Sequence, residues 1–168
     1  MNKYYSILAP AKLNLNLFVT GKGKEGYHSL KSDVCFLELA DKIYIKRHYK
    51  DVFTQNKIAN SLTINPNDNL IIKAIKKFRL TTKWNEKFKV YLDKNIPIGA
   101  GLGGGSADAA STLILLRKLF NDKFKSDKIK FSTLYKLAME LGSDVPACLQ
   151  SKDLRLEEYG NKITRTKI

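Results

Sequence analysis

The chain has 168 residues, enough for one domain with a substantial core. Its 43% apolar and 27% charged residues, with ten Gly and four Pro, exclude a disordered, collagenous or low-complexity protein. No run approaches the ~18 apolar residues of a membrane span. Met1–Ser6 lacks the apolar stretch of a signal peptide, and Cys35 and Cys148 are too few for a disulfide framework or metal quartet, so a reduced cytoplasm is expected. The net charge is +14, yet the basic residues are 25 Lys and only 5 Arg, scattered along the chain beside 12 Asn, so A/T-rich codon usage explains the basicity at least as well as a nucleic-acid partner.

Tyr4–Leu8 and Lys12–Thr20 read as strands, the second alternating Leu13, Leu15, Leu17 and Val19 with Asn14, Asn16 and Phe18. Gly21–Gly26 reads as a turn. Ser32–Leu39 and Lys42–Tyr49 read as two strands separated by Ala40-Asp41, and Lys50–Asn60, which has no clear period, reads as a loop. Ser61–Ile64 is a short strand, and Asn65-Pro66-Asn67-Asp68-Asn69 is a turn able to cap a following helix. Leu70–Phe78 has helical spacing. Phe88–Leu92 is a strand, Asn95–Gly105 a glycine-rich loop, and Ser106–Phe120 the best helix of the chain. Ser132–Leu141 is a further helix closed by Gly142, and Leu154–Lys167 forms one or two edge strands. Strands come early and helices late, which predicts an α+β fold with helices on one face of an antiparallel or mixed sheet.

The most informative stretch is Pro97-Ile98-Gly99-Ala100-Gly101-Leu102-Gly103-Gly104-Gly105-Ser106-Ala107-Asp108, with five glycines in seven residues between a strand and a helix. Glycine permits positive φ and close approach of an anion to backbone N–H groups, and the following helix adds free N–H donors and the positive end of its dipole. This is the composition of a phosphate cradle. Ser106 can bond a phosphate or a metal-bound water, and Asp108 is expected in the first helical turn. No Lys-Ser or Lys-Thr follows the last glycine, so it is not a Walker A loop. Gly99, Gly101 and Gly104 match a dinucleotide fingerprint with Asp122 about 20 residues on, but only some 60 residues follow, too few for its run of parallel βαβ units.

Three motifs occur in order: Ala9-Pro10-Ala11-Lys12-Leu13-Asn14-Leu15 with Gly26-Tyr27-His28, the loop Pro97–Ala110, and Leu141-Gly142-Ser143-Asp144-Val145-Pro146. Together they resemble the GHMP kinase superfamily, in particular its branch acting on 4-diphosphocytidyl-2-C-methyl-D-erythritol in non-mevalonate isoprenoid synthesis. The resemblance covers Ala9 to about Gly160. It implies a fold shared with a ribosomal protein domain and transfer of the γ-phosphoryl group of ATP, with Mg2+, to a hydroxyl of a small-molecule substrate. It implies that Pro97, Gly99, Ala100, Gly101, Leu102, Gly103, Gly104, Gly105 and Ser106 hold the ATP phosphates. Asp144 would be the catalytic base and Lys12 its partner. Tyr27 and His28 would hold the cytosine, and Asn14 would line the phosphate or erythritol region. Those residue types suit a reaction that is mostly positioning and charge stabilisation.

The resemblance also implies a longer protein, so residues 1–168 read as the N-terminal, ATP-binding domain with the C-terminal domain absent. The expectations that follow are slow turnover by this chain alone and a homodimer covering the face that would meet the second lobe. The alternative reading is a non-catalytic remnant or basic nucleic-acid-binding module on the same fold. Intact Lys12, Asp144 and glycine loop favour the kinase, with no nucleic-acid or membrane partner expected.

Overall fold

The computed structural model describes residues 3–22, 28–56, 68–158 and 162–165. The elements run β1 (Tyr5–Asn14), β2 (Phe18–Lys22), β3 (His28–His48), β4 (Val52–Gln55), α1 (Leu70–Thr82), β5 (Lys87–Asp93), α2 (Gly104–Lys123), α3 (Phe131–Leu141), α4 (Val145–Cys148), β6 (Leu154–Glu158) and β7 (Lys162–Arg165). The 21-residue β3 is the spine of a seven-stranded sheet. It pairs antiparallel with β1 and β2 along one edge and with β5 and β6 along the other. β4 adds parallel to β5 and β7 antiparallel to β6, so the sheet is mixed. The fold is α+β, with the helices over one face, as expected.

Several boundaries differ from the sequence reading. Ala40-Asp41 does not break the chain into two strands; β3 runs straight through it. Asp is poorly suited to a strand interior, but here the buried Asp41 accepts hydrogen bonds from the loop after β5. Lys12–Thr20 is not one strand. Pairing breaks at residues 15–17, where Asn16 Oδ1 accepts the Asp33 N–H at 2.8 Å and takes the place of a backbone partner. Ala9-Pro10-Ala11 belongs to β1, in register with β3 up to a bulge between Pro10 and Lys12. The Lys50–Asn60 loop contains β4, whose four residues are too few to show a period. Gly21 lies in β2, and residues 23–26 of the expected turn, like Ser61–Ile64, fall outside the described residues.

Local chemistry explains the helices. Asn69 caps α1, its Oδ1 accepting the Ile71 and Ile72 N–H groups at 2.9 and 3.4 Å. Ile71, Ala74, Ile75 and Phe78 then bury one stripe of α1. α2 is buried on most sides and runs through the middle of the helical layer, beginning at Gly104 rather than Ser106. Ala9 and Ala11 in β1 are fully buried, and small side chains there let α2 approach closely; Ser111 Oγ donates to Leu8 C=O at 3.2 Å across the contact. Trp84 packs edge-on against Phe78, Phe88 and Phe120 at the other end of the core. Gly142 closes α3, its N–H bonded to Ala138 C=O, with extended backbone rather than a left-handed cap. β7 lies at the sheet edge, whereas β6 sits between β3 and β7. Among the described residues no helix is long and apolar enough to cross a membrane.

Candidate active site

The glycine loop leaves β5, turns through three left-handed glycines, Gly99, Gly101 and Gly103, and enters α2. Gly103 is the N-cap, and the first α-helical bond is Ala107 N–H to Gly103 C=O at 2.9 Å. The first-turn amides of Gly104, Gly105 and Ser106 therefore lie ahead of the ladder, where an anion can take them. The loop from Pro97 to Ser106 lines an open cavity of about 340 Å³ together with Leu70, Leu92, Lys94 and Asp108. The loop is tied to β1 through Lys12 N–H to Leu102 C=O at 2.9 Å.

That tie places Lys12 against the loop at Leu102 and Gly103. Its side chain is 2% exposed, and Nζ reaches Asp144 Oδ2 at 3.2 Å and Asn14 Oδ1 at 3.0 Å. A buried ammonium needs such partners. Asp144 sits where α3 turns into α4, and its carboxylate is 40% exposed, open to a substrate. A Cβ on Gly103 would lie 3.2 Å from Lys12 Cβ and Cε and 3.9 Å from Asp144 Oδ2, so the absence of a side chain lets loop and pair meet. Ser32 Oγ bonds Asn16 C=O at 2.5 Å and lies 3.3 Å from Asn14 Oδ1, which holds Asn14 beside Lys12. The structure thus brings together Lys12, Asn14, Asp144 and the loop residues singled out in the sequence. Tyr27 lies outside the described residues, and His28 begins β3, opposite Lys22.

Two residues that the sequence did not single out complete the site. Lys94, just before the loop, is buried and bonds both Asp41 and Asp108, the latter at 3.1 Å. Asp41 Oδ1 also accepts the Asn95 and Ile96 N–H groups at 2.6 and 2.8 Å. One ammonium between two carboxylates ties the start of the loop to α2 beyond its end. Asp108 is the fifth residue of α2, not a first-turn residue, and its buried Oδ1 has no partner among the described residues. An acid directly before the alternating Lys42–Arg47 run and a lysine flanking the glycine run were the signals available. Asp122 is exposed near the opposite end of the 20-residue α2, about 30 Å long, which removes it from the loop and from a dinucleotide reading. Cys148 is buried and its thiol is pushed up to about 12, first by burial and then by Asp144, so it is no nucleophile.

Burial pushes the Asp108 carboxyl up to about 7; Lys94 opposes this and the Asp41 carboxylate adds to it. Between about pH 4 and pH 7 the folded chain keeps a proton that the unfolded chain has lost, so this group's contribution to stability falls as pH rises through that window. Asp108→Asn cannot ionise and still offers Lys94 an acceptor. Its Tm relative to wild type is expected to climb from pH 4 to pH 8. A constant difference across that range would contradict a raised Asp108.

The loop, the helix N-terminus and the lysine–aspartate pair stand together on an α+β scaffold. Residues 69–152, half the chain, match the model of the GHMP kinases N terminal domain, and the chain belongs to the GHMP kinase family. It is 35% identical over 167 residues to 4-diphosphocytidyl-2-C-methyl-D-erythritol kinase of Buchnera aphidicola, covering 94% of this chain and 55% of that protein. It is 37% identical over 156 residues to the kinase of the same name from Psychromonas ingrahamii, covering 93% and 52%. A crystal structure of 4-(cytidine 5'-diphospho)-2C-methyl-D-erythritol kinase superposes with a TM-score of 0.77 at 29% identity, over 98% of this chain and 56% of that one. Methanococcus jannaschii mevalonate kinase shares the fold, with a TM-score of 0.69 at 19% identity, over 98% and 56%. The chain spans about half the length of these relatives.

Proposed function

We propose that this chain is the nucleotide-binding lobe of a kinase that transfers the γ-phosphoryl group of ATP to a hydroxyl of 4-diphosphocytidyl-2-C-methyl-D-erythritol. The observation that carries the reading is the Lys12–Asp144 pair, 3.2 Å apart, meeting the glycine loop at Gly103. ATP bound there would supply an activated phosphoryl group, and Mg2+ would offset its charge. The loop and first-turn amides of α2 hold the phosphates, and Ser106 adds a hydroxyl to them or to the metal. Asp144 accepts the proton of the attacking hydroxyl. Lys12, fixed by Asn14, holds that carboxylate in place and balances charge on the transferring group. Asn14 also faces the substrate's phosphate or erythritol region, and Tyr27 and His28 hold its cytosine.

Nucleotide binding is tested by thermal unfolding. At about 100 times Kd, a ligand that binds only the native state adds about 2.7 kcal/mol. For a chain of this size that is a rise of about 5–10 °C in Tm. Folded protein that shows no shift at millimolar MgATP would refute the nucleotide site. ADP release on adding the cytidine diphosphate substrate, with the chain alone and with the C-terminal half of a relative supplied in trans, tests the substrate.

A further inference from the structure

The helices cover one face of the sheet. The opposite face of four adjacent strands, in the order β1–β3–β5–β4, carries a pattern that the kinase reading does not use. In its middle row Tyr44 of β3 stands opposite Tyr91 of β5, with ring centroids 5.9 Å apart, flanked by Ser6 of β1 and Thr54 of β4. In the next row Lys46 stands opposite Lys89, and Lys46 Nζ lies 4.5 Å from the centre of the exposed Tyr4 ring. On the other side of the tyrosines is Lys42, its Nζ 5.1 Å from the centre of Tyr44. The one acid in these three rows is Asp93, opposite Lys42, and it accepts a hydrogen bond from Asn56 at 3.0 Å.

Like charges directly opposite on paired strands destabilise a sheet. Among the described residues no carboxylate bridges Lys46 and Lys89 to offset that cost, and a bound phosphate would remove it. Aromatic rings 5.9 Å apart on adjacent strands, with ammonium groups on both sides, suit an extended polyanion whose charges alternate with flat apolar groups. A duplex keeps its bases stacked on one another and cannot offer them to the rings.

We infer that this sheet face binds single-stranded nucleic acid, with bases stacking on Tyr4, Tyr44 and Tyr91 and phosphates running along Lys42, Lys46 and Lys89. The surface lies on the side of the sheet away from the helices that carry the glycine loop. It is a second activity, independent of the proposed kinase reaction.

The test is fluorescence anisotropy of a labelled oligothymidylate about 12 nucleotides long, titrated with the full chain at salt from about 50 to 200 mM. Tyr44→Leu/Tyr91→Leu, which keeps bulk but removes the π-faces, is expected to weaken binding at least about tenfold. Tyr44→Phe/Tyr91→Phe is expected to bind like wild type. Lys46→Glu/Lys89→Glu is expected to weaken binding and flatten its salt dependence. Lys128→Glu/Lys130→Glu, the same charge change in the loop between α2 and α3, is expected to alter affinity less than about threefold. If the leucine variant unfolds, the contrast between the two lysine pairs decides. Absence of wild-type binding would overturn the inference. So would equal losses from both lysine pairs, which is attraction by net charge alone. So would leucine-variant binding equal to wild type, or equal binding of poly-glutamate with indifference to the tyrosines, which points to an acidic protein.

Discussion

Asp144→Asn is expected to slow phosphoryl transfer by about 1000-fold or more, the upper part of what a positioned general base contributes, and to leave the MgATP-induced rise in Tm intact. The amide cannot take the hydroxyl proton. It does keep an oxygen for Lys12, which also retains Asn14 Oδ1 at 3.0 Å, so the buried ammonium is not stranded. The carboxylate is 40% exposed and caps no helix with its side chain, so the fold loses little. The measurement pairs single-turnover transfer with thermal unfolding of the same preparations. Wild-type transfer by the variant would remove Asp144 as the base. Loss of the nucleotide shift together with transfer would mean that the side chain shapes the loop rather than the chemistry.

Gly104→Ala is expected to destabilise the chain by about 1–3 kcal/mol and to weaken nucleotide binding at least about tenfold, because it overpacks a site that cannot relax. The added Cβ would lie 2.9 Å from Lys94 Nζ and 3.0 Å from Ile96 Cγ2. Lys94 is not a free flexible end there: it is tied to Asp41 and Asp108, and Ile96 is fully buried. The strain therefore passes into the loop and the first turn of α2. Gly105→Ala is the control one residue on. Its Cβ would meet only Leu70 Cδ1, at an ordinary 3.6 Å, and Ala is the better helix former by about 1 kcal/mol. Its Tm is expected to equal or exceed that of wild type. Denaturant unfolding and nucleotide titration of both variants check the pair, and equal behaviour would mean that Lys94 is not held as described.

Both predictions rest on features of different legibility. The glycine run, the α2 pattern and the Asn69 cap are local, since composition, period and capping chemistry act within a few residues. For these the sequence was sufficient, and the ordered motifs around Lys12, the loop and Asp144 were enough to reach the family. Locality also explains the errors. An Asp in a strand reads as a turn when its partner Lys94 lies 53 residues away, and four residues of β4 have no period until β5 lies beside them.

Tertiary structure alone decided how separate residues combine. It brought Asp144 to the Lys12 ammonium that Asn14 also holds, because β1 and the α3–α4 turn flank the same loop. It joined Asp41, Lys94 and Asp108 into a buried tie across the ends of that loop. It also sorted the lysines. Along the chain they look like scattered composition, and only strand pairing sets Lys46 opposite Lys89 and Tyr44 opposite Tyr91 on one face. A sequence fixes which side chains a strand presents to each face, but which strands become neighbours depends on burying the whole apolar surface at once, and that is settled by the entire chain.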